Sequence, residues 1–157
     1  MAGKTSNGWL LLSILYADDG DGATLEAILT SGDWINHAIF SEDELINGLS
    51  HLQHARLIQK EGDRIYKEKE AKGLLEGKAK TLDLYKQWDL IDEYLVKYGI
   101  QEAVIQKDQK VDIERFVRQN LKPAYESYLA KISPRVRRAL DDQTGGSIAG
   151  SGGTGSP

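Results

Sequence analysis

The sequence predicts a mainly α-helical fold in which three short helices precede a β-hairpin and a helical extension follows. Three leucines, Leu45, Leu49 and Leu52, recur at the spacing that places them on one face of a helix. Directly after that helix the pattern changes to two short strand-like runs, residues 57–60 and 64–67, on either side of Gly62. Helix, strand, glycine turn and strand together predict a helix that leads into a hairpin.

Composition bounds the class of protein. With 157 residues, of which 40% are hydrophobic and 28% charged, the chain has the make-up of an ordinary soluble globular protein. No apolar run approaches the roughly 20 residues of a membrane span. The absence of cysteine excludes disulfides, cysteine metal sites and cysteine nucleophiles. We therefore expect a reducing, cytoplasmic location.

Three segments differ in pattern. Residues 8–75 contain the three helices and the hairpin. Residues 76–140 form the helical extension, a possible dimerisation region, and residues 141–157 are a flexible Gly/Ser-rich tail, either natural low complexity or an added linker. Within the extension the apolar positions between residues 84 and 98 are spaced 4, 3, 4, 3, as in a coiled-coil seam. That seam consists of Leu84, Trp88, Ile91, Leu95 and Tyr98.

The first segment has recognisable helix boundaries. A first helix is expected over residues 8–18. Thr24 is suited to cap a second helix, which Ser31-Gly32 would end. Ser41, with Glu44 three residues later, predicts a capping box for the third helix.

The connection over residues 33–40 is apolar for a loop. It contains four large apolar side chains, those of Trp34, Ile35, Ile39 and Phe40. We expect these side chains to pack against the three helices. A small aromatic pocket with His37 at its edge is the alternative, and we favour simple core packing. Further along the chain, Asp112 is suited to cap a later helix, which Pro123 should kink or restart.

The pattern of residues 42–75, EDELINGLSHLQHARLIQKEGDRIYKEKEAKGLL, resembles the recognition helix, wing and following helix of PadR-like and MarR-like bacterial transcription regulators. The end of the helix and the Glu-Gly-Asp-Arg tip carry most of the likeness. The resemblance, over about residues 9–75, implies a winged helix-turn-helix. It also implies DNA binding, transcriptional regulation and dimerisation through the C-terminal helices.

A DNA-binding surface would use the outward face of the third helix and the hairpin. With the leucines inward, we expect polar side chains outward that can contact bases, and two hairpin cations that can contact phosphates. The candidate residues are Asn47, Ser50, His51, His54, Lys60 and Arg64.

The charge distribution favours a second hypothesis. Residues 1–73 carry seven Lys/Arg against twelve Asp/Glu, a net charge of −5, whereas residues 74–157 carry a net charge of +1. DNA-binding domains usually present a basic surface, because affinity rests largely on neutralised phosphates. Winged helices also serve as protein-docking modules, so a protein partner on the helix–wing surface is the alternative.

The sequence gives little sign of chemistry. His51 and His54 lie three residues apart on one helical face, but a third metal ligand would have to come from elsewhere. No glycine-rich phosphate loop and no arrangement of Ser, His and acid is evident. We therefore expect no catalytic residues, no metal and no cofactor, and no enzymatic activity.

The seam predicts a homodimer. The apolar seam is longer than a helix needs for packing within its own chain. We therefore expect it to pack both on the helices of residues 112–132 and on a second copy of the chain. Light scattering at high micromolar concentration should give twice the 17.4 kDa monomer mass. A monomer mass would leave the seam as ordinary core.

Overall fold

Helices and one hairpin make up the computed structural model, which describes residues 4–132. The predicted mainly helical fold with a small antiparallel hairpin is confirmed. The elements, in chain order, are α1 (Ser6–Ala17), α2 (Leu25–Asn36), α3 (Glu42–His54), β1 (Ile58–Glu61), β2 (Arg64–Lys67), α4 (Lys69–Gly73), α5 (Leu84–Lys97) and α6 (Lys107–Lys131). Short 3-10 turns precede α5 and α6, at Gly77–Thr81 and Ile100–Glu102. The predicted tail over 141–157 lies outside the described residues.

The first helix, α1, is the centre of the fold. Leu10, Leu11, Leu12 and Ile14 are completely buried, so the helix is apolar on all sides rather than on one stripe. Helices α2, α3 and α5 pack around it. A single hydrophobic core therefore joins the three N-terminal helices to the extension.

Helix α2 is longer than predicted. Thr24 caps it as expected, but Ser31-Gly32 does not end it, and the helix continues to Asn36. Gly32 serves packing instead, because a Cβ there would lie 2.5 Å from the ring of Phe40. His37, with a φ of 53°, ends the helix in the left-handed conformation.

The expected burial of the α2–α3 region is partly wrong. Ile35 and Phe40 are buried, and Phe40 stacks on the Trp9 ring with centroids 3.7 Å apart. Trp34, however, is 56% exposed, because the additional residues of α2 point its side chain away from the core. There the Trp34 and Tyr16 rings pack edge to face. Core packing thus holds for three of the four side chains, because the half-buried Ile39 also packs against the core.

The hairpin pairs Ile58 with Lys67 and Glu61 with Arg64 in antiparallel register. Gly62 makes the turn with a φ of 60°, as predicted. An additional bridge joins Ile65 to Ala23, which precedes α2, through two backbone hydrogen bonds of 2.7 and 2.8 Å. The hairpin is therefore fixed to the loop between α1 and α2.

The seam of α5 packs within its own chain, but not against the predicted element. Trp88, Ile91 and Leu95 are buried, and α5 lies against α1 rather than against the later helix. Tyr98, the last seam residue, is 59% exposed. The core that the seam was expected to build with residues 112–132 is therefore built with α1.

The long helix α6 crosses α2 and α3. It begins at Lys107, so the predicted cap at Asp112 is wrong, and it continues through the exposed Pro123 without interruption. Near its end, Ser127 donates a hydrogen bond of 2.7 Å to Glu26, and the Tyr128 hydroxyl donates one of 2.5 Å to Asp33. These contacts hold the second half of α6 along α2.

Among the residues that the structure describes, no helix combines the length and the apolar character needed to cross a bilayer.

The contact between Gly8 of α1 and Asp92 of α5 leads to a prediction about stability. The buried Asp92 carboxylate accepts hydrogen bonds from the Thr5 backbone N–H and hydroxyl, at 3.0 and 2.6 Å. A Cβ on Gly8 would lie 2.0 Å from its Oδ1 atom. Gly8→Ala should therefore displace the carboxylate and lower the free energy of unfolding by about 2–3 kcal/mol, measured by urea denaturation.

The matched control is Gly73→Ala, because no atom lies within 4 Å of the Cβ that it would add in α4. Its stability should be unchanged or slightly higher. Equal losses in the two variants would contradict the close packing at Gly8.

Candidate functional site

The beginning and the buried face of α3 are as predicted. The Glu44 N–H donates to the Ser41 hydroxyl at 3.1 Å, and the Ser41 N–H donates to the Glu44 carboxylate at 2.9 Å, which completes the capping box. Leu45, Leu49 and Leu52 are completely buried. The predicted orientation of the helix is therefore confirmed.

The exposed arc of α3 consists of Asp43, Asn47 and His54, with the half-buried His51 beside them. Nδ1 of His51 lies 2.7 Å from the Asn47 carbonyl oxygen, so that ring is held against its own helix. No group of three His, Cys, Asp or Glu suited to a metal occurs among residues 4–132. The arc presents polar groups and carries no cation.

Ser50 does not belong to this arc, contrary to prediction. It is 3% exposed, and its hydroxyl donates a hydrogen bond of 2.6 Å to the Ile46 carbonyl. Ile46, one turn earlier on the same side, is also buried, and α6 packs along α3. The leucine stripe alone suggested one buried face, whereas α3 is enclosed on two sides.

The hairpin cation Lys60 is turned inward. Its backbone N–H donates to the Gln53 side chain at 3.0 Å. Its ammonium lies 3.7 Å from an Asp112 carboxylate oxygen and 5.6 Å from the centre of the Phe116 ring. Only 18% of the Lys60 side chain is exposed. The start of α6 thus covers the residue that was expected to contact phosphates.

Arg64, the second hairpin cation, contacts the loop before α2. Its Nη1 donates to the carbonyl oxygens of Gly22 and Asp21, at 3.2 and 3.4 Å. The side chain is half-buried. Arg64 therefore satisfies backbone acceptors of its own chain.

Carboxylates dominate the N-terminal end of α3, where Glu42, Asp43 and Glu44 occupy the first turn. Arg118 of α6 donates to Glu42 at 3.0 Å, and Glu114 lies 3.3 Å from the same guanidinium. The hydrogen bond to Glu42, with the charge of Glu114, raises the pKa of Arg118 further. Arg118 is thus shared between two carboxylates, whereas Arg56, two residues after the end of α3, is exposed.

Asp18 anchors the hairpin to α1. One carboxylate oxygen accepts the N–H groups of Gly20 and Gly22, at 2.8 and 2.9 Å, and the other accepts the Lys67 N–H at 2.9 Å. Burial by itself would raise the pKa of Asp18. The hydrogen bonds from Lys67, Gly20 and Gly22, with the Lys67 charge, outweigh burial and lower it.

Sequence reasoning missed Asp112, Phe116 and Arg118, the α6 residues that meet the hairpin and α3. They lie more than 50 residues beyond Lys60, and no local pattern links the two segments. The sequence predicted a helix beyond Asp112 but not the element against which it would pack.

Comparison with known proteins adds no assignment, since no family model, no curated protein and no solved structure matches this chain. The contacts and charges of the residues themselves therefore carry the functional argument.

Asp18 generates a pH-dependent prediction. Asp18→Asn places an amide donor against a backbone N–H, so at neutral pH the free energy of unfolding should fall by about 2 kcal/mol. A carboxylate with a lowered folded-state pKa stabilises the fold above its unfolded value, 3.8, and that stabilisation is lost as the pH falls through the folded-state pKa. The difference from wild type should therefore shrink in acid, as measured by urea denaturation across pH.

The neighbouring Asp19 supplies the control. It is exposed and accepts only one hydrogen bond, of 3.4 Å, from Asp21. Asp19→Asn should change stability little at any pH. A loss in Asp18→Asn that stayed constant down to strong acid would show that its charge is not the stabilising feature.

Proposed function

We propose that this chain is a winged-helix protein-interaction module whose helix–wing face does not bind DNA. The order of elements supports the winged-helix part. Residues 37–41 connect α2 and α3 in a short turn, and the hairpin follows α3 directly. The bridge between Ala23 and Ile65 adds a third, one-residue strand to the hairpin. This likeness is at the level of fold and does not fix a function.

The position of Lys60 is the main observation in favour of a face that does not bind DNA. An exposed lysine neutralises a DNA phosphate and releases a counterion. Lys60 instead faces Asp112 and the Phe116 ring and is largely covered. To reach a phosphate it would have to leave both groups. With Lys60 engaged in this way, the hairpin lacks one of the phosphate contacts on which DNA affinity depends.

The charge of the exposed arc supports the same proposal. Asp43 is exposed beside Asn47, and Glu42 and Glu44 flank it in the first turn of α3. These carboxylates would repel a phosphate backbone at the point where the helix would enter the groove. They are complementary to a Lys- or Arg-rich protein segment, which is the partner that we propose for this face.

DNA-binding regulation is the second candidate. Asn47 and His54 project from the exposed side of α3, and asparagine is suited to pair with adenine. On this hypothesis the start of α6 masks the hairpin, and a change in α6 would release Lys60. The two candidates therefore differ in what happens when the contact between Lys60 and Asp112 is broken.

Homodimerisation through the C-terminal helices also stays a proposal. Because Trp88, Ile91 and Leu95 are buried against α1, a dimer would have to use other apolar residues. Val96, Tyr98 and Val104 are the exposed ones nearby, at 55%, 59% and 84%.

The decisive test is a titration of fluorescent random-sequence duplex DNA at low salt, where nonspecific binding is strongest. Wild type should not bind at concentrations of about tens of micromolar, while circular dichroism shows it to be folded. Binding that Lys60→Ala and Arg64→Ala weaken would overturn the proposal in favour of a DNA-binding protein. A Lys-rich peptide should bind in the same buffer, and Asp43→Asn should weaken that binding.

A matched pair of α6 variants tests masking. Asp112→Asn removes the partner of Lys60, and Asp108→Asn removes the same charge from an exposed position one turn earlier. Neither variant should gain DNA binding. If Asp112→Asn alone bound the duplex, α6 would be a mask and the regulator hypothesis would be correct.

A further inference from the structure

A cavity of about 440 Å³ lies apart from the exposed arc of α3. It is bounded by the end of α1, the end of β2, the segment from α4 to the following 3-10 turn, and the start of α5. We call it the lysine pocket after Lys67, Lys72 and Lys80, which line it together with the apolar side chains of Leu15, Tyr16 and Leu75. Its volume is within the range of small-molecule sites.

The charge of the lysine pocket is opposite to that of the surrounding protein. Its lining contains three lysines and one acidic residue, Glu76, whereas the chain as a whole carries a net charge of −4. Within residues 4–132 no carboxylate oxygen lies within 4 Å of any of the three ammonium nitrogens. The pocket therefore concentrates positive charge that the described chain does not neutralise by direct pairing.

Part of this pocket is already fixed in position. Gln87 is 1% exposed, accepts the Tyr16 hydroxyl at 2.7 Å, and donates to the carbonyl oxygens of Ala79 and Lys80 at 3.2 and 3.4 Å. The Lys67 ammonium donates to the Leu15 carbonyl at 3.2 Å. Tyr16 and Lys67, together with the backbone that carries Lys80, are thus held before any ligand arrives, which lowers the entropic cost of binding.

We propose that the lysine pocket binds a small organic anion, a carboxylate or a phosphate monoester that carries an apolar chain or ring. The ammonium groups of Lys67, Lys72 and Lys80 receive the anionic group. The side chains of Leu15 and Leu75 and the ring of Tyr16 contact the apolar part. An inorganic anion alone leaves these apolar walls uncovered, and a neutral apolar molecule leaves the three charges unpaired.

The test is a ¹H–¹⁵N NMR titration with four probes, which are octanoate, octyl phosphate, 1-octanol and inorganic phosphate. Octanoate or octyl phosphate should produce saturable shifts at residues 15–16, 72–80 and 87, and the tighter of the two identifies the anionic group. The alcohol has the same chain without the charge, and phosphate has the charge without the chain. The affinity of each of these two controls should be lower than that of the tighter anion by a factor of about ten or more.

Paired lysine variants keep the test specific. Lys72→Met and Lys80→Met remove one charge each while they keep an unbranched, apolar side chain, and each should weaken the binding of the tighter anion by about threefold. Lys69 and Lys78 are exposed lysines on the same two segments, outside the pocket. Lys69→Met and Lys78→Met should leave affinity unchanged.

Three results would overturn the proposal. They are an absence of saturable shifts in a folded protein, 1-octanol or inorganic phosphate binding as tightly as the anions with a chain, and equal weakening by the pocket and control variants. Since every substituted lysine is exposed, unchanged amide spectra of the free variants would show that folding is not the cause.

Discussion

The burial of α1 from Asn7 to Leu15 is the constraint on which the rest of the structure depends. A helix that is apolar on all sides cannot lie on a surface, so other elements have to enclose it. Helices α2 and α3 cover part of it, and α5 covers a further side through Trp88, Ile91 and Leu95. The extension is therefore an integral part of the core, and the residues that looked like a dimer seam are used within one chain.

The position of α6 is set by its own apolar stripe. With α5 placed on α1, the apolar stripe of α6, which includes Ile113, Phe116 and Val117, packs against α2 and α3. This brings Asp112 and Phe116 beside the hairpin. The ammonium of Lys60 then has a carboxylate and an aromatic face within reach, and both interactions are stronger in this half-buried setting than in open solvent. Helix packing, more than the sequence of the hairpin, thus decides which cations face outward.

The parts of the fold that local signals specify could be predicted. The Ser41 capping box, the leucine stripe of α3 and the Gly62 turn each depend on a few neighbouring residues, and each is present. Features that depend on contacts between residues far apart in the sequence could not be predicted. Gly32 looked like a helix end because its contact with Phe40 is invisible in sequence, and Ser50 looked exposed because α6 joins the fold some 60 residues later. The same distance hid the partners of Lys60.

The placement of cations separates the two surfaces of the molecule. On the helix–wing face, Lys60 meets Asp112 and Arg118 meets Glu42, both within the same chain. An anionic partner that used these two cations would have to displace a carboxylate and gain only the difference between two similar interactions. In the lysine pocket no such exchange is needed, because the ammonium groups of Lys72 and Lys80 have no carboxylate within 4 Å in the described chain. A negatively charged ligand therefore gains more there than at Lys60 or Arg118.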